Sequence, residues 1–282
     1  MPTGRAPASP QQHVDEVGAE APSTAEHDAR TRRPRGYDGH VAANVTNVLL
    51  EDPDLAGNLT GERLRRAQRD LIAATIVARE GQWDPEAEAE GARGGVGLLL
   101  LDGMIVRRVG RTGRHGAELL GPGDLMRPWE HDGEDVTLPF DSTFQVVEEA
   151  RLAVLDLRFA TRAAPYPEVT AALVGRAMQR SRTLAVNMAI AHYPRIDQRL
   201  LMLLWHMADR WGRVTRDGIR IPLRVTHQTL GDLVAARRPS VTSALRQLAD
   251  EGRVSRSDDA WVLHGDPPVE LYAGPRPARQ AG

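Results

Sequence analysis

The spacing of apolar residues changes several times along the 282-residue chain, and each change predicts a different kind of element. Residues 1–40 are rich in Pro, Ala, Glu, Gln and Arg and show no apolar period. They read as a disordered tail. Residues 45–80 read as mainly helical. Leu49 and Leu50 precede a break at Asp52-Pro53, and Thr60 stands where an N-cap is wanted for a helix over 61–70. Leu64 and Leu71 share one face of it, and a β-like pattern opens at 75–78. Between 95 and 158 short apolar runs alternate with turn signals. The run 96–101 is followed by Asp102-Gly103, which reads as a tight turn into 104–109. Arg111-Thr112-Gly113 makes a second turn. Residues 117–120 lead into Gly121-Pro122-Gly123-Asp124, and further strands are expected at 144–147 and 152–157. Short strands with close turns predict one β domain, a sandwich or barrel, rather than a βαβ sheet.

The period then becomes helical. Pro167 suits a helix start. Val169, Leu173, Ala177, Leu184, Met188 and Ile190 follow at roughly helical spacing. A helix over 169–191 would be about 35 Å long at 1.5 Å per residue. Such length and an apolar stripe make it a candidate dimer seam. A second amphipathic helix over 194–214 carries Leu200, Leu201, Leu203, Leu204, Trp205, Met207 and Ala208.

The most informative stretch is 221–265. Ile221-Pro222-Leu223 reads as a short strand. Thr226 is an N-cap for a helix over 228–235, with Leu230, Leu233 and Val234 inward. Ala236-Arg237-Arg238 turns the chain, and Pro239 opens a second helix. Val241, Ala244, Leu245 and Leu248 form its buried stripe at i, i+3, i+4 and i+7. Ser240, Thr242, Ser243, Arg246 and Gln247 are left for other faces. Gly252 ends the helix, and 253–256 with 260–264 read as a hairpin closed by Ser257-Asp258-Asp259. Helix, turn, helix and hairpin make the pattern of a winged helix-turn-helix. The second helix of such a unit enters the major groove. It therefore needs small hydrogen-bonding side chains outward and arginines at its N-terminal end for guanine edges or phosphates.

Composition narrows the chemistry. The length allows about two domains, and 41% hydrophobic residues suffice for a large core. There is no cysteine, which removes disulfides, cysteine-ligated metals and thiol catalysis. All 36 basic residues are arginine, so no lysine is available for a Schiff base or a P-loop. The formal net charge of −2 is unevenly spread. From 196 to 264 there are 11 Arg against 8 acids, whereas from 121 to 160 there are 3 Arg against 9 acids. DNA is therefore expected at the C-terminal end. The basic run Arg30-Thr31-Arg32-Arg33-Pro34-Arg35 reads as part of a solvated tail. No stretch approaches the roughly 20 apolar residues of a membrane span, and no secretory signal pattern opens the chain. A cytoplasmic protein with no membrane partner is expected. No nucleophile elbow, zinc-protease motif or Walker loop appears, and Glu148-Glu149 are adjacent in a strand and point apart. The chain does not read as an enzyme, and no metal or cofactor is expected.

Three motifs carry a family resemblance: Glu118-Leu119-Leu120-Gly121-Pro122-Gly123-Asp124-Leu125, Arg151-Leu152-Ala153-Val154-Leu155-Asp156, and Thr226-His227-Gln228-Thr229-Leu230-Gly231-Asp232-Leu233-Val234 through Arg238-Pro239-Ser240-Val241. With a β domain, a long helix and a winged helix in that order, residues 45–265 resemble the Crp/Fnr family of bacterial transcription regulators. The resemblance implies an α+β chain. Its parts would be a tail (1–40), a double-stranded β-helix of β-roll or jelly-roll type like a cyclic-nucleotide-binding domain (41–163), a dimerisation helix (164–193), a winged helix-turn-helix (194–268) and a short tail (269–282). It implies a homodimer on a near-palindromic duplex site, with RNA polymerase as a further partner. Thr226, Gln228, Arg237, Arg238, Pro239, Ser240, Thr242, Ser243, Arg246 and Gln247 would face DNA, and Val169, Leu173, Ala177, Leu184 and Met188 would form the seam.

In the sensor part the sequence departs from the family pattern. Arg127-Pro128 stands where the family's ribose-binding Gly-Glu is expected, and Phe140-Asp141 where its phosphate-binding arginine is. A buried phosphate without its arginine is badly paired, so the usual cyclic-AMP mode is expected to be lost and the effector is left open. Arg127, Glu130, Phe140, Ser142 and Thr143 are the candidate pocket residues. The competing reading is a sensing or interaction module whose winged helix binds protein. Steep salt dependence of binding to duplex DNA discriminates the two.

Overall fold

The computed structural model describes residues 44–88, 90–111, 114–129, 140–257 and 260–268. The expected tails at 1–40 and 269–282 lie outside them. So do Glu130, the polar run 131–135, and the tips 112–113 and 258–259 of two expected turns. Elements are numbered in chain order. The first half contains β1 (Asn44–Asn47), α1 (Val48–Glu51), a 3-10 turn (Pro53–Ala56), α2 (Gly61–Asp70), β2 (Ile72–Ala78), β3 (Gly81–Trp83), α3 (Pro85–Glu88), β4 (Gly97–Arg111), β5 (Arg114–Leu120), β6 (Leu125–Met126), β7 (Asp141–Leu155) and α4 (Leu157–Ala163). The second contains α5 (Pro167–Ala191), α6 (Ile196–Trp211), β8 (Arg213–Thr215), β9 (Gly218–Ile221), α7 (His227–Leu233), α8 (Arg238–Asp250), β10 (Val254–Ser257) and β11 (Ala260–Leu263). The chain is α+β, as expected.

Seven antiparallel strands form the first sheet, in the order β1-β2-β7-β4-β5, with β3 on β7 and β6 on β4. Its centre corrects two expectations. The pair Asp102-Gly103 is not a hairpin turn. β4 runs through it, paired along its length with β7, and the ladder shifts register between Leu100 and Ile105. Gly103 sits at φ 85°, and a Cβ there would stand 2.2 Å from the Glu149 carbonyl oxygen. An Asp-Gly pair therefore serves here as a bulge that bends a long strand. The two strands expected at 144–147 and 152–157 are likewise one strand, β7. Leu98, Leu99 and Leu100 are all fully buried because both faces of the sheet are covered. Leu98 and Leu100 pack inside with Ile105, Met126, Phe144 and Val146. Leu99 packs outside with Leu49, Leu55, Leu71, Phe159 and Tyr166. A strand buried on both faces loses its alternation, so it reads as a short apolar run.

The outer cover corrects the expected helix over 45–80. Residues 44–47 are an edge strand on β2, and β2 begins at Ile72 rather than 75. The helix over 61–70 is as expected, with Thr60 at its N-cap position but making no side-chain cap bond. Glu51 accepts two hydrogen bonds from Arg151 at 2.8 and 2.6 Å, tying α1 to β7. These bonds, with one from Thr46, hold the Glu51 carboxyl down to about 2. Helix α4 was not foreseen. Asp156 caps it by accepting from the Phe159 N–H at 2.7 Å, and Phe159 is fully buried.

Helix α5 opens at Pro167 and has 25 residues. It is fastened to the sheet by two ion pairs. One nitrogen of Arg176 meets both Asp52 oxygens at 2.8 and 2.9 Å. Arg180 meets the buried Glu118 of β5 through Nε at 2.6 Å and NH2 at 2.8 Å. Burial works against the Arg180 cation, but the hydrogen bonds and charge of Glu118, with Asp124, outweigh it and raise its pKa. The second sheet, β10-β11-β9-β8, frames the C-terminal part. Its β9 ends at Ile221, so the strand expected at 221–223 lies earlier in the chain and pairs with an unforeseen partner, β8.

Candidate nucleic-acid interface

The first helix of the C-terminal pair, α7, is shorter than expected, covering 227–233 rather than 228–235. The Thr226 hydroxyl accepts from the Thr229 N–H at 3.1 Å, as an N-cap does. The turn after α7 places Ala235 at φ 52°, and the Ala236 N–H donates to the Gly231 carbonyl at 2.8 Å. Helix α8 starts at Arg238 with Pro239 in its first turn. Val241, Ala244, Leu245 and Leu248 are buried against Leu200, Leu204, Leu230, Leu233 and Trp261. That one-sided burial turns Thr242, Ser243, Arg246 and Gln247 to solvent, while Ser240 is half-buried. Gly252 takes φ 64° past the helix end, and β10 pairs with β11 as the hairpin.

The outward side chains are short of partners other than their own helix. Thr242 donates to the Arg238 carbonyl at 3.1 Å, Ser243 donates to the Pro239 carbonyl at 3.2 Å, and Gln247 donates to Glu251 at 2.8 Å. Gln228 donates to Asp232 at 2.8 Å. Arg237, Arg238, Arg246 and Arg256 are ion-paired to no carboxylate among the described residues. Thr226, Gln228 and Arg238 line one open cleft of about 510 Å³ together with His227 and Arg256. Thr242 and Arg246 line an adjoining one of about 300 Å³, again with His227 and Arg256. Arg237, Pro239, Ser240, Ser243 and Gln247 line neither cleft but belong to the same end and outer faces of α8.

Two cleft residues escaped the sequence reading. Arg256 lies on β10, its guanidinium 5.3 Å from the Trp261 ring centroid. His227 meets the Thr242 hydroxyl at 3.0 Å, and its ring lies 6.2 Å from that of Trp261. Burial lowers the His227 pKa, and the cations Arg256 and Arg238 lower it further. The only signal was position: His227 follows an N-cap, and Arg256 is an outward residue of the hairpin.

The expected sensor pocket is not assembled. Arg127 and Thr143 are exposed, and Phe140 is 53% exposed. Ser142 accepts a hydrogen bond from Arg107 at 3.2 Å. Ser142 and Thr143 are successive residues of β7, so they point to opposite faces of the sheet. Glu130 lies outside the described residues. Among the described residues no group of three His, Asp or Glu is placed to hold a metal ion.

The expected seam also needs correction. Val169 and Leu173 are buried against their own β domain. They are the first turns of α5, where the helix is still packed under α2 and α4. Further along, Ala177, Leu184 and Met188 are exposed, and so are Val174 and Met178. Between the two halves, Arg108 of β4 donates to Asp232 of α7 at 2.7 Å and to Gln145 at 2.9 Å.

Residues 198–265 match the Crp-like helix-turn-helix domain family. A curated relative from Mycobacterium tuberculosis, the CRP-like cAMP-activated global transcriptional regulator, is 27% identical over 187 residues, 63% of this chain and 79% of that protein. The fold is similar to that of a CooA mutant from Carboxydothermus hydrogenoformans, with TM-score 0.54, 14% identity and coverage of 78% of this chain and 93% of that one. It is also similar to FixK2 from Bradyrhizobium japonicum, with TM-score 0.53, 18% identity and coverage of 69% and 94%. These neighbours place a β-roll sensor domain before a C-terminal helix-turn-helix, and this chain has the same fold class.

Proposed function

The chain belongs to the Crp/Fnr family of transcription regulators, and on that premise we propose that it is a sequence-specific DNA-binding regulator acting as a homodimer. The carrying observation is the cationic face built by α8, the start of α7 and β10, where Arg237, Arg238, Arg246 and Arg256 carry charges that no carboxylate among the described residues cancels. Arg176, Arg180 and Arg210, by contrast, are ion-paired. Uncancelled guanidiniums beside short hydroxyl and amide side chains suit a phosphate backbone and the base edges between its strands. Arg238 at the start of α8 would reach a base or phosphate, with Thr242, Ser243, Arg246 and Gln247 along the groove and Thr226 and Gln228 at the backbone.

The dimer rests on α5. Val174, Ala177, Ser181, Leu184 and Met188 recur at spacings of three and four, the repeat of a coiled-coil seam. Two chains paired there would present two α8 helices to successive major grooves, about one helical turn apart on a near-palindromic site. The domain division is 41–163 for the sensor, 164–193 for the pairing helix and 194–268 for the reader. The usual cyclic-AMP mode is not available to the sensor in this reading. The Mycobacterium relative is described as cAMP-activated, but here the candidate pocket side chains diverge and the sheet interior is apolar. No reaction is assigned. RNA polymerase is the expected further partner and the cytoplasm the expected location. No described helix is long and apolar enough to cross a membrane.

Selection of bound sequences from a random duplex pool, with purified full-length chain and no added ligand, tests the reading. A two-fold-symmetric motif bound with steep salt dependence is expected. On that motif Arg238→Ala should weaken binding by about 1–3 kcal/mol. Binding that is flat in salt and enriches no sequence would overturn the proposal.

A further inference from the structure

Helix α5 carries a second stripe, unlike its apolar one. Gln179, Thr183 and Asn187 are four residues apart and therefore share one face. That face lies well round the helix from Val174, Ala177 and Met188. All three residues line a cavity of about 330 Å³ between α5, the turn Gly121–Asp124 of the β domain, and α6. The volume is at the small end of ligand pockets, which run from about 300 to 1,000 Å³. Apolar walls come from Leu119, Leu203, Met207 and Trp211.

The polar groups in this cavity are largely unspent. None of Gln179, Thr183 and Asn187 makes a side-chain hydrogen bond among the described residues. The Asn187 Oδ1 atom is buried and has no partner there. Buried side-chain polar atoms are rarely left so. Asn187 stands where this cavity meets a second one of about 270 Å³ on the β4–β5 side. Facing them from α6 is His206, half-buried, whose burial lowers its pKa, Asp209 opposing and Arg210 adding to the shift. A neutral imidazole offers one donor and one acceptor.

The arginines of the cavity are spent, whereas Asp209, at its exposed rim, makes no ion pair among the described residues. Arg176 is held by Asp52 and Asp54, at 2.8 and 3.5 Å. Arg210 is held by Asp124 at 2.8 Å and donates to the Pro122 carbonyl at 3.2 Å. An anionic guest would have to break one of these pairs. An uncharged guest would meet two amides, a hydroxyl and an imidazole between apolar walls.

We propose that this cavity is a binding site for a small, uncharged, planar molecule with both a donor and an acceptor on one edge, of the class of nicotinamide or a pyrimidine base. Asn187 and Gln179 pair with its amide-like edge, Thr183 and His206 take the flanking groups, and the apolar side chains cover its faces. The site is distinct from the interior of the β-roll. It touches the β domain, the long helix and the first helix of the reader, so an occupant bridges all three.

The test is saturation-transfer NMR on the full chain with nicotinamide, and separately with uracil, at millimolar concentration. Transfer to at least one probe is expected. Thr183→Val keeps the shape and should weaken that probe about ten-fold, the loss of one hydrogen bond to the site. Asn187→Leu should abolish it. A charged control, nicotinic acid, should give no transfer. No transfer from either neutral probe overturns the proposal, as does a signal unchanged in Thr183→Val. Because the readout is the probe and not DNA, the result does not depend on the reader working as proposed.

Discussion

Gly103 offers a sharp test of the strand architecture. If Asp102-Gly103 were a hairpin turn, alanine at 103 would cost only the backbone strain of a positive φ. For an L-residue that is about 1–2 kcal/mol. In the continuous β4 the cost is larger. A Cβ at 103 would lie 2.2 Å from the Glu149 carbonyl oxygen, 2.5 Å from the Ala150 Cα and 2.7 Å from the Glu149 carbonyl carbon. Carbon contacts are comfortable only at about 3.5–4.0 Å. These neighbours are backbone and cannot swing aside, so β4 and β7 must part where Asp102 faces Arg151 and Met104 faces Glu148. Losing one or two ladder hydrogen bonds adds about 0.5–1.5 kcal/mol each. The sum is about 1.5–5 kcal/mol, or a fall in Tm of roughly 3–20 °C for a chain of this size. Urea unfolding followed by tryptophan fluorescence and circular dichroism measures it. Gly116 of β5 is the control. It faces Val109 with no positive φ, and the nearest atom to its Cβ would be 3.9 Å away. Gly116→Ala should be neutral or stabilising by about 0.5–1 kcal/mol, since it removes unfolded-state freedom. If Gly103→Ala costs no more than about 1 kcal/mol, backbone strain alone suffices and the bulged continuous strand is wrong.

Other consequences are equally measurable. Glu118→Gln strips the charge facing the buried Arg180 and should cost about 3 kcal/mol in urea titrations. Glu62→Gln, at an exposed and solvent-screened pair with Arg65 and Arg69, should leave the urea midpoint nearly unchanged; equal effects would show that the Arg180 pair fastens nothing. His227 should make DNA binding pH-dependent. Burial, Arg256 and Arg238 lower its pKa in the free protein, and a neighbouring phosphate would raise it. Binding then takes up a proton, so affinity should rise as pH falls from about 7.5 to 5.5, across the ordinary histidine value near 6.5; His227→Gln should flatten that slope, and an unchanged slope refutes the contact. Leu184→Glu with Met188→Glu should halve the mass in sedimentation velocity, because four like charges would face one another across the seam. A mass unaltered by the pair places the dimer contact elsewhere.

The reader was legible in the sequence because one stripe decides it. Val241, Ala244, Leu245 and Leu248 are buried, and what they leave outward follows from helix geometry alone. The sensor was less legible for two physical reasons. Leu98, Leu99 and Leu100 are covered on both faces, which erases the period-two signal. The bulge at Gly103 then imitates a turn by using a turn's residues. Helix α4 was hidden because its signal is one capping aspartate, Asp156, in a strand-like context. The candidate ligand residues Ser142 and Thr143 were adjacent in sequence and so could not converge in a strand. Gln179, Thr183 and Asn187 passed unnoticed beside the apolar stripe, since a polar face on a long helix ordinarily meets only solvent.

Net charge hides the feature that matters most for DNA. The whole chain carries −2, which by itself would discourage a polyanion. Yet an arginine counts toward the potential outside the protein only if no carboxylate sits on it. Arg63, Arg151, Arg176, Arg180 and Arg210 are each paired within 3.1 Å, and they tie elements of the fold to one another. The arginines of the α8 face are paired to no carboxylate among the described residues, so their field reaches solvent. Arg108 belongs to the first group, but its partner Asp232 lies on α7. That pair is well shielded, with both side chains 17% exposed, and Asp232 also accepts from Gln228. The pair ties a strand of the β domain to α7, on the helix face that also carries Gln228. Any shift of β4 relative to α5 must either carry α7 with it or break that pair.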